Sequence, residues 1–280
     1  MINRVRIHPL FFLLAFSAFL TGAFYEFIVL FSIVALHEWG HFSTARSYGW
    51  RVSHIEFWLF GGAVVSDEHS AKPFKEQVHV ILSGPLQHVW IAVLLFLLQT
   101  FIGPHPLLDT AVHYNRIILL LNLLPIWPLD GGKLLFYVLT QLISFQKSIK
   151  ATLWVSFSCI LSTIVILLIE ERMTLAGMLL AGFLVVENSL EWKRRTFTFM
   201  RFLMYGVRRD QEHLKVKYLS IDPNTPVRRV LKNVHANRRH LYILKRKPGL
   251  YIVDEQECLR MFIEQKKTSL RMGDLPKILH

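Results

Sequence analysis

Two cysteines are all that this 280-residue chain offers to redox chemistry. Cys159 falls in an apolar run and Cys258 in a polar tail, so the two cannot sensibly pair and nothing points to an oxidising compartment. Charge is scarce as well. Charged residues make up 19% of the chain against 52% hydrophobic ones, and the mean hydropathy of +0.36 excludes the ordinary soluble class in favour of an integral membrane protein. Acidic residues run short in one region only: residues 1–192 hold 11 Lys/Arg and 12 Asp/Glu, whereas residues 193–280 hold 21 and 8. The formal net charge of +12 therefore belongs to the tail. Beyond about Lys217 that tail lacks a Walker motif, zinc-finger spacing and the interleaved aromatic and basic residues of nucleic-acid binders. No direct nucleic-acid partner is expected, and the basic charge suits lipid headgroups, nucleotide phosphate or an acidic protein.

Six apolar runs, near residues 8–25, 26–47, 77–102, 111–127, 151–169 and 174–191, are each long enough to cross the bilayer. The first lacks a small-residue cleavage site and is followed at once by the second, so it reads as a retained helix rather than a signal peptide. Six crossings place both termini on one side. Arg4, Arg6, Arg46, Arg51, Lys72, Lys75, Lys133, Lys147 and Lys150 share that side, against Arg116 and Arg172 opposite, which makes it the cytoplasmic side.

The second run, FIVLFSIVALHEWGHFSTARS over residues 27–47, carries ionisable groups where each is costly. On a helix His37 and His41 project from one face a turn apart, the spacing at which two imidazoles bind one Zn²⁺. Glu38, beside the first, then faces the attacking water rather than the metal, the general-base arrangement of H-E-x-x-H metalloproteases. A zinc shell of two histidines lacks a third protein ligand. The stretch NLLPIWPLDGG over residues 122–132 supplies a candidate: Pro125 and Pro128 end the fourth span, leaving Asp130 in unwound backbone at membrane depth beside Gly131 and Gly132. Asp130 either completes the ligand set or only caps the helix that follows. His88, a turn beyond Ser83-Gly84-Pro85 in the third span, is either a further ligand or an intramembrane histidine satisfied by a neighbouring helix.

Two other stretches are informative. HIEFWLFGGAVVS over residues 54–66 places β-branched and aromatic residues around Gly61-Gly62, which predicts a hairpin beside the bundle or an ordinary surface connector. KRRTFTFMRFLMYGVRR over residues 193–209 mixes basic and aromatic residues as an interfacial helix does. Beyond about Lys217 the pattern is that of a small α/β module. A helix opens at Thr225-Pro226 with Val227, Val230, Leu231 and Val234 on one face, strands follow over residues 240–245 and 250–253, and Asp254 caps a second helix. So small a core needs pairing or docking.

With HEWGH in span two, SGP in span three and NLLPIWPLDGG closing span four, the chain resembles the site-2 protease family of intramembrane metalloproteases. The LFGG hairpin, SGPLQH and a single C-terminal CBS-like module are most similar to its sporulation branch in spore-forming bacilli, across essentially the whole chain. The resemblance implies His37, His41 and Asp130 as ligands of one Zn²⁺, Glu38 as the catalytic glutamate, and Asn122, Pro125 and Pro128 as an element that positions substrate. It departs at His88, where many members carry Asn. The substrate implied is pro-sigma-K, the precursor of a late sigma factor, cleaved in the mother-cell membrane surrounding the forespore. Inhibitors of the BofA and stage IV sporulation protein FA type would restrain the enzyme. CBS repeats pack in pairs around an adenine-nucleotide groove, so a single copy implies a homo-oligomer and a site for ATP.

The expected architecture is thus a polytopic α-helical membrane protein of six spans with a membrane-associated β-hairpin, plus a small C-terminal α/β domain. Residues 1–192 form the metalloprotease domain, 193–216 a basic interfacial linker and 217–280 the CBS-like regulatory domain. The expected activity is zinc endopeptidase, with the hairpin around Phe60, Gly61 and Gly62 gating or presenting substrate. A different substrate, such as a membrane anti-sigma factor, is one alternative. A metal-ion transporter is another, opposed by the lack of a second His/Asp cluster and of a repeat between the halves. An inactive scaffold would not need Glu38.

Overall fold

The computed structural model describes residues 5–7, 9–58, 61–66, 72–208, 215–246, 249–264 and 269–276. The chain forms two compact units, one of Met1–Leu134 with Ser156–Val185, the other of Leu135–Val155 with Val186–His280.

In the first unit, β1 (Val5–Ile7) leads into α1 (Pro9–Leu20) and α2 (Phe24–Ser47). Gly49 ends α2: its φ of +70° is open to glycine, and the reversal lets Gly49 and Trp50 donate to the carbonyls of Arg46 and Ala45 at 2.9 and 3.0 Å. Next come β2 (Val52–Trp58) and β3 (Gly61–Ser66). They pair antiparallel, and β1 adds to β2 in parallel. Gly61 lies opposite Trp58 and Gly62 opposite Phe57, while Phe60 falls outside the described residues.

α3 (Phe74–Ile102) and α4 (Pro106–Leu123) complete the packing around α2. Pro85 lies inside α3. α2 and α3 approach closely at Gly40, where an added Cβ would meet the Ser83 carbonyl at 2.5 Å. Ile33, Ile91, Leu95 and Ala111 form the apolar contact among the three helices. The connection at residues 124–129 is unwound, as its two prolines require. The Trp127 N–H donates to Ser156 Oγ at 3.0 Å, and Ile126 is buried with Ile160 and Leu184. α5 (Asp130–Leu142) starts directly after it.

Among the described residues, four helices are long and apolar enough to cross a membrane: α2, α3, α6 (Phe145–Ile169) and α7 (Leu175–Arg208). α1 has 12 residues, about 18 Å at 1.5 Å per residue. α4 has 18 but includes Asp109 and Arg116, so these two do not meet that standard.

In the second unit, α7 continues without a break through the basic stretch expected to lie in the interface. Its apolar side chains divide by face: Phe199, Phe202 and Leu203 are buried, and Phe202 stacks on Phe145 with centroids 3.9 Å apart, whereas Phe197 is 61% exposed. The tail comprises β4 (Lys215–Ile221), α8 (Val227–Leu231), β5 (Arg238–Arg246), β6 (Gly249–Asp254) and α9 (Glu255–Ile263). β4 pairs parallel with β5, and β5 antiparallel with β6. Val227, Val230, Leu231 and Val234 are all buried, and Asp254 caps α9 by accepting from the Gln256 N–H at 3.2 Å. The thin core is supplemented by the chain's own helices. Phe145 N–H donates to the Val234 carbonyl at 3.1 Å, and Asn237 Nδ2 to the Gln141 carbonyl at 3.0 Å. Burial, with Glu255 nearby, pushes the Cys258 thiol up, so this cysteine is an inert core residue.

Candidate metal centre

Three side-chain atoms converge in the first unit. His37 Nε2 and His41 Nε2 lie 3.0 Å apart, and Asp130 Oδ2 is 3.1 Å from the first and 3.0 Å from the second. All three residues are buried, as is Glu38. The histidines meet because they are one turn apart on α2. Asp130 joins them because the unwound connection folds tightly enough to start α5 at that position. Gly131 and Gly132 make that fold possible, since a Cβ on Gly132 would lie 2.5 Å from the Ile126 carbonyl oxygen, and one on Gly131 would overlap the carbonyls of Leu123 and Leu124.

Each ligand atom is held from behind. His41 Nδ1 lies 2.7 Å from the Val80 carbonyl, which can only accept, so Nδ1 carries hydrogen and a neutral imidazole presents its lone pair at Nε2. His37 Nδ1 faces His88 Nε2 at 3.0 Å, and His88 Nδ1 faces Asn115 Oδ1 at 2.7 Å. Asp130 Oδ1 takes Lys133 Nζ at 3.3 Å. With a neutral imidazole the His41 lone pair meets a carboxylate oxygen, an arrangement that a cation between them would satisfy. Two imidazole nitrogens and one carboxylate oxygen are the donor set of a catalytic zinc site, so these residues fit that ion. Glu38 has a carboxylate oxygen within 4.8 Å of both imidazoles' ligand atoms, close enough to address a water beside the centre. Asp130, in direct contact with both, is the better third donor.

The other sequence candidates are not among the three converging side chains. Asn122 donates its side-chain N–H to the Ile118 carbonyl at 3.1 Å. Pro125 and Pro128 shape the connection before Asp130, and Gly61 and Gly62 open β3. His88 sits behind His37 rather than in the triangle. Sequence reasoning missed Lys133, whose i,i+3 spacing from Asp130 was the available signal, and Asn115, which had none.

Gly84 gives the centre its room. A Cβ there would come within 2.8 Å of His37 Cε1 and closer still to the His41 ring. Gly84→Ala is therefore expected to weaken zinc retention at least about tenfold, the lower end for disturbing a ligand's support. Gly182→Ala, where a Cβ meets nothing within 4 Å, should retain full zinc by elemental analysis.

A buried site of this composition between apolar helices defines a membrane metallopeptidase, and the comparisons with known proteins agree. The family model for Peptidase family M50 matches residues 25–113 and 102–166. The chain is 33% identical over 98% of its length to Stage IV sporulation protein FB of Bacillus subtilis, covering 96% of that protein. It is 33% identical to a zinc metalloprotease of Methanocaldococcus jannaschii over 44% of this chain and 37% of that one. The solved site-2 protease from Methanocaldococcus jannaschii superposes with a TM-score of 0.56 at 26% identity, covering 68% of this chain and 91% of that one. The chain belongs to peptidase family M50. It is an integral membrane zinc metalloprotease of the site-2 protease type.

Proposed function

We propose that the chain is an endopeptidase that cuts a membrane-associated protein precursor near the cytoplasmic face of the bilayer. The observation that carries this reading is the convergence of His37, His41 and Asp130 with Glu38 beside them. Those three residues would hold Zn²⁺, which when bound supplies a Lewis acid that polarises a carbonyl and acidifies water. Glu38 takes the proton of the attacking water and returns it to the leaving amine. Lys133 orients Asp130 by donating to its Oδ1. Asn122 gives one amide N–H to the Ile118 carbonyl, and the second N–H of the same amide would serve as an oxyanion donor.

The substrate proposed is the pro-sequence of a sporulation sigma factor of the pro-sigma-K type, in line with end-to-end similarity to a sporulation protein. The charge bias supports cytoplasmic termini, with α1 and α4 adding to the four long helices to make six crossings. This fits a mother-cell membrane location and restraint by BofA and stage IV sporulation protein FA type proteins. Residues 217–280 would form a CBS-like regulatory module that self-associates and takes ATP. The cluster Arg238, Arg239, Lys245, Arg246 and Lys247 would supply charge for phosphate; Arg239 is paired with Asp254, and Lys247 lies outside the described residues.

The hairpin of β2 and β3 would present substrate by adding an unwound peptide to a free strand edge. Cysteines placed at Gly61 or Gly62 should cross-link to residues flanking the scissile bond. Uniform failure in an active enzyme would reduce the hairpin to a connector. The function itself is tested by incubating detergent-purified protein with a membrane-tethered pro-sigma-K-type substrate, with and without a zinc chelator. One product is expected, lost with chelator and restored by zinc. Chelator-resistant cleavage would reject the mechanism, and preferential cleavage of an anti-sigma factor would reassign the substrate.

A further inference from the structure

Behind His37 the structure places a chain of groups whose hydrogen positions are fixed one by one. Asn115 Nδ2 lies 3.0 Å from the His88 main-chain carbonyl, which accepts only, so the amide NH₂ must face it. The other end of the amide, Oδ1, then faces His88 Nδ1 at 2.7 Å, and the oxygen requires that Nδ1 carry hydrogen. A neutral His88 consequently offers a lone pair at Nε2, 3.0 Å from His37 Nδ1. His37 must donate there, so a neutral His37 carries its lone pair at Nε2, turned toward His41 and Asp130. Both His88 and Asn115 are buried, at 0% and 5% exposure, so water cannot replace either partner.

We propose that His88 and Asn115 are positioning residues that fix the tautomer and ring orientation of His37, carrying that instruction from α4 through α3 to α2. The proposal rests on the zinc reading of His37, His41 and Asp130. Metal-bound histidines are ordinarily oriented by a carboxylate, a carbonyl or water, and His41 follows that habit with Val80. His37 instead leans on a neutral imidazole, which is itself oriented by an amide. Removing the acceptor lets His37 present Nδ1–H to no partner and rotate or change tautomer, so the ion should be held less tightly although all three ligands remain.

The test is zinc dissociation from the full chain in detergent into an excess of chelator, with melting of the metal-free protein and the visible spectrum of its cobalt-substituted form recorded beside it. His88→Leu should weaken zinc binding by about 10–100-fold and shift the cobalt bands, while the metal-free protein still melts in one cooperative transition, lowered by the partners left unpaired. His88→Gln, which can still accept from His37 Nδ1, should recover most of the affinity. Asn115→Leu should lose affinity too, and the double variant should be no worse than His88→Leu, because both act through one path. Asp130→Asn in the same assay separates the two ideas: full zinc retention there would reject the ligand set itself. A His88→Leu protein that keeps parental zinc binding overturns the relay, as does a Gln variant as impaired as Leu. If His88→Leu fails to fold, the decision passes to Asn115→Leu, whose parental zinc retention would overturn the relay equally.

Discussion

Glu38→Gln should reduce peptide cleavage by about 10²–10⁴-fold while leaving one zinc bound per chain, since proton transfer by a positioned side chain contributes an acceleration of that order. Gln keeps the size and burial of the side chain and removes only its basicity. His37, His41 and Asp130 make their mutual contacts without it, so the metal has no reason to leave. Elemental analysis beside a cleavage assay reads both halves of the expectation. Normal turnover in the variant would end the role given to Glu38, and loss of zinc would make Glu38 a ligand instead.

Asp130→Asn should fail differently, losing activity and zinc together. A neutral amide is a poor zinc ligand, and the buried dication would be left with less compensating charge. The change also leaves the Lys133 ammonium facing an amide where it now meets a carboxylate at 3.3 Å. Because outer partners of ligands already cost 10–100-fold in metal affinity, removal of a ligand should exceed about 100-fold. Asp130→Ala should be at least as severe. Full zinc and full activity in Asp130→Asn would return Asp130 to the alternative of a helix cap.

The centre was legible in the sequence wherever local spacing controls geometry. His37 and His41 meet because four residues make one helical turn. Asp130 stood out because two prolines and two glycines mark unwound backbone where a carboxylate is costly. What stayed hidden depends on packing between helices. Nothing near Asn115 announces that its amide orients His88, and His88 could be read as a ligand because only the interhelical register shows that His37 Nδ1 stands in front of it. The same limit applies to the fold. β1 is three residues long and owes its strand character to pairing with β2. β4 lies partly ahead of the place where the α/β pattern becomes recognisable. The aromatics of residues 193–209 suggested a membrane surface, yet Phe199 and Phe202 serve the contact with Phe145, a partner distant in sequence. The fourth apolar run is read from residue 111, whereas α4 begins at Pro106, because its first turn carries Asp109.

The central claim is that two α2 histidines and the first residue of α5 bind one zinc ion, and X-ray absorption at the zinc edge of the purified full-length chain addresses it most directly. The account predicts one zinc per chain with two imidazole nitrogens and carboxylate or water oxygen at about 2.0–2.2 Å, and an altered oxygen shell in whatever metal Asp130→Asn retains. A third imidazole in the coordination sphere, or a spectrum unchanged by Asp130→Asn, would contradict it.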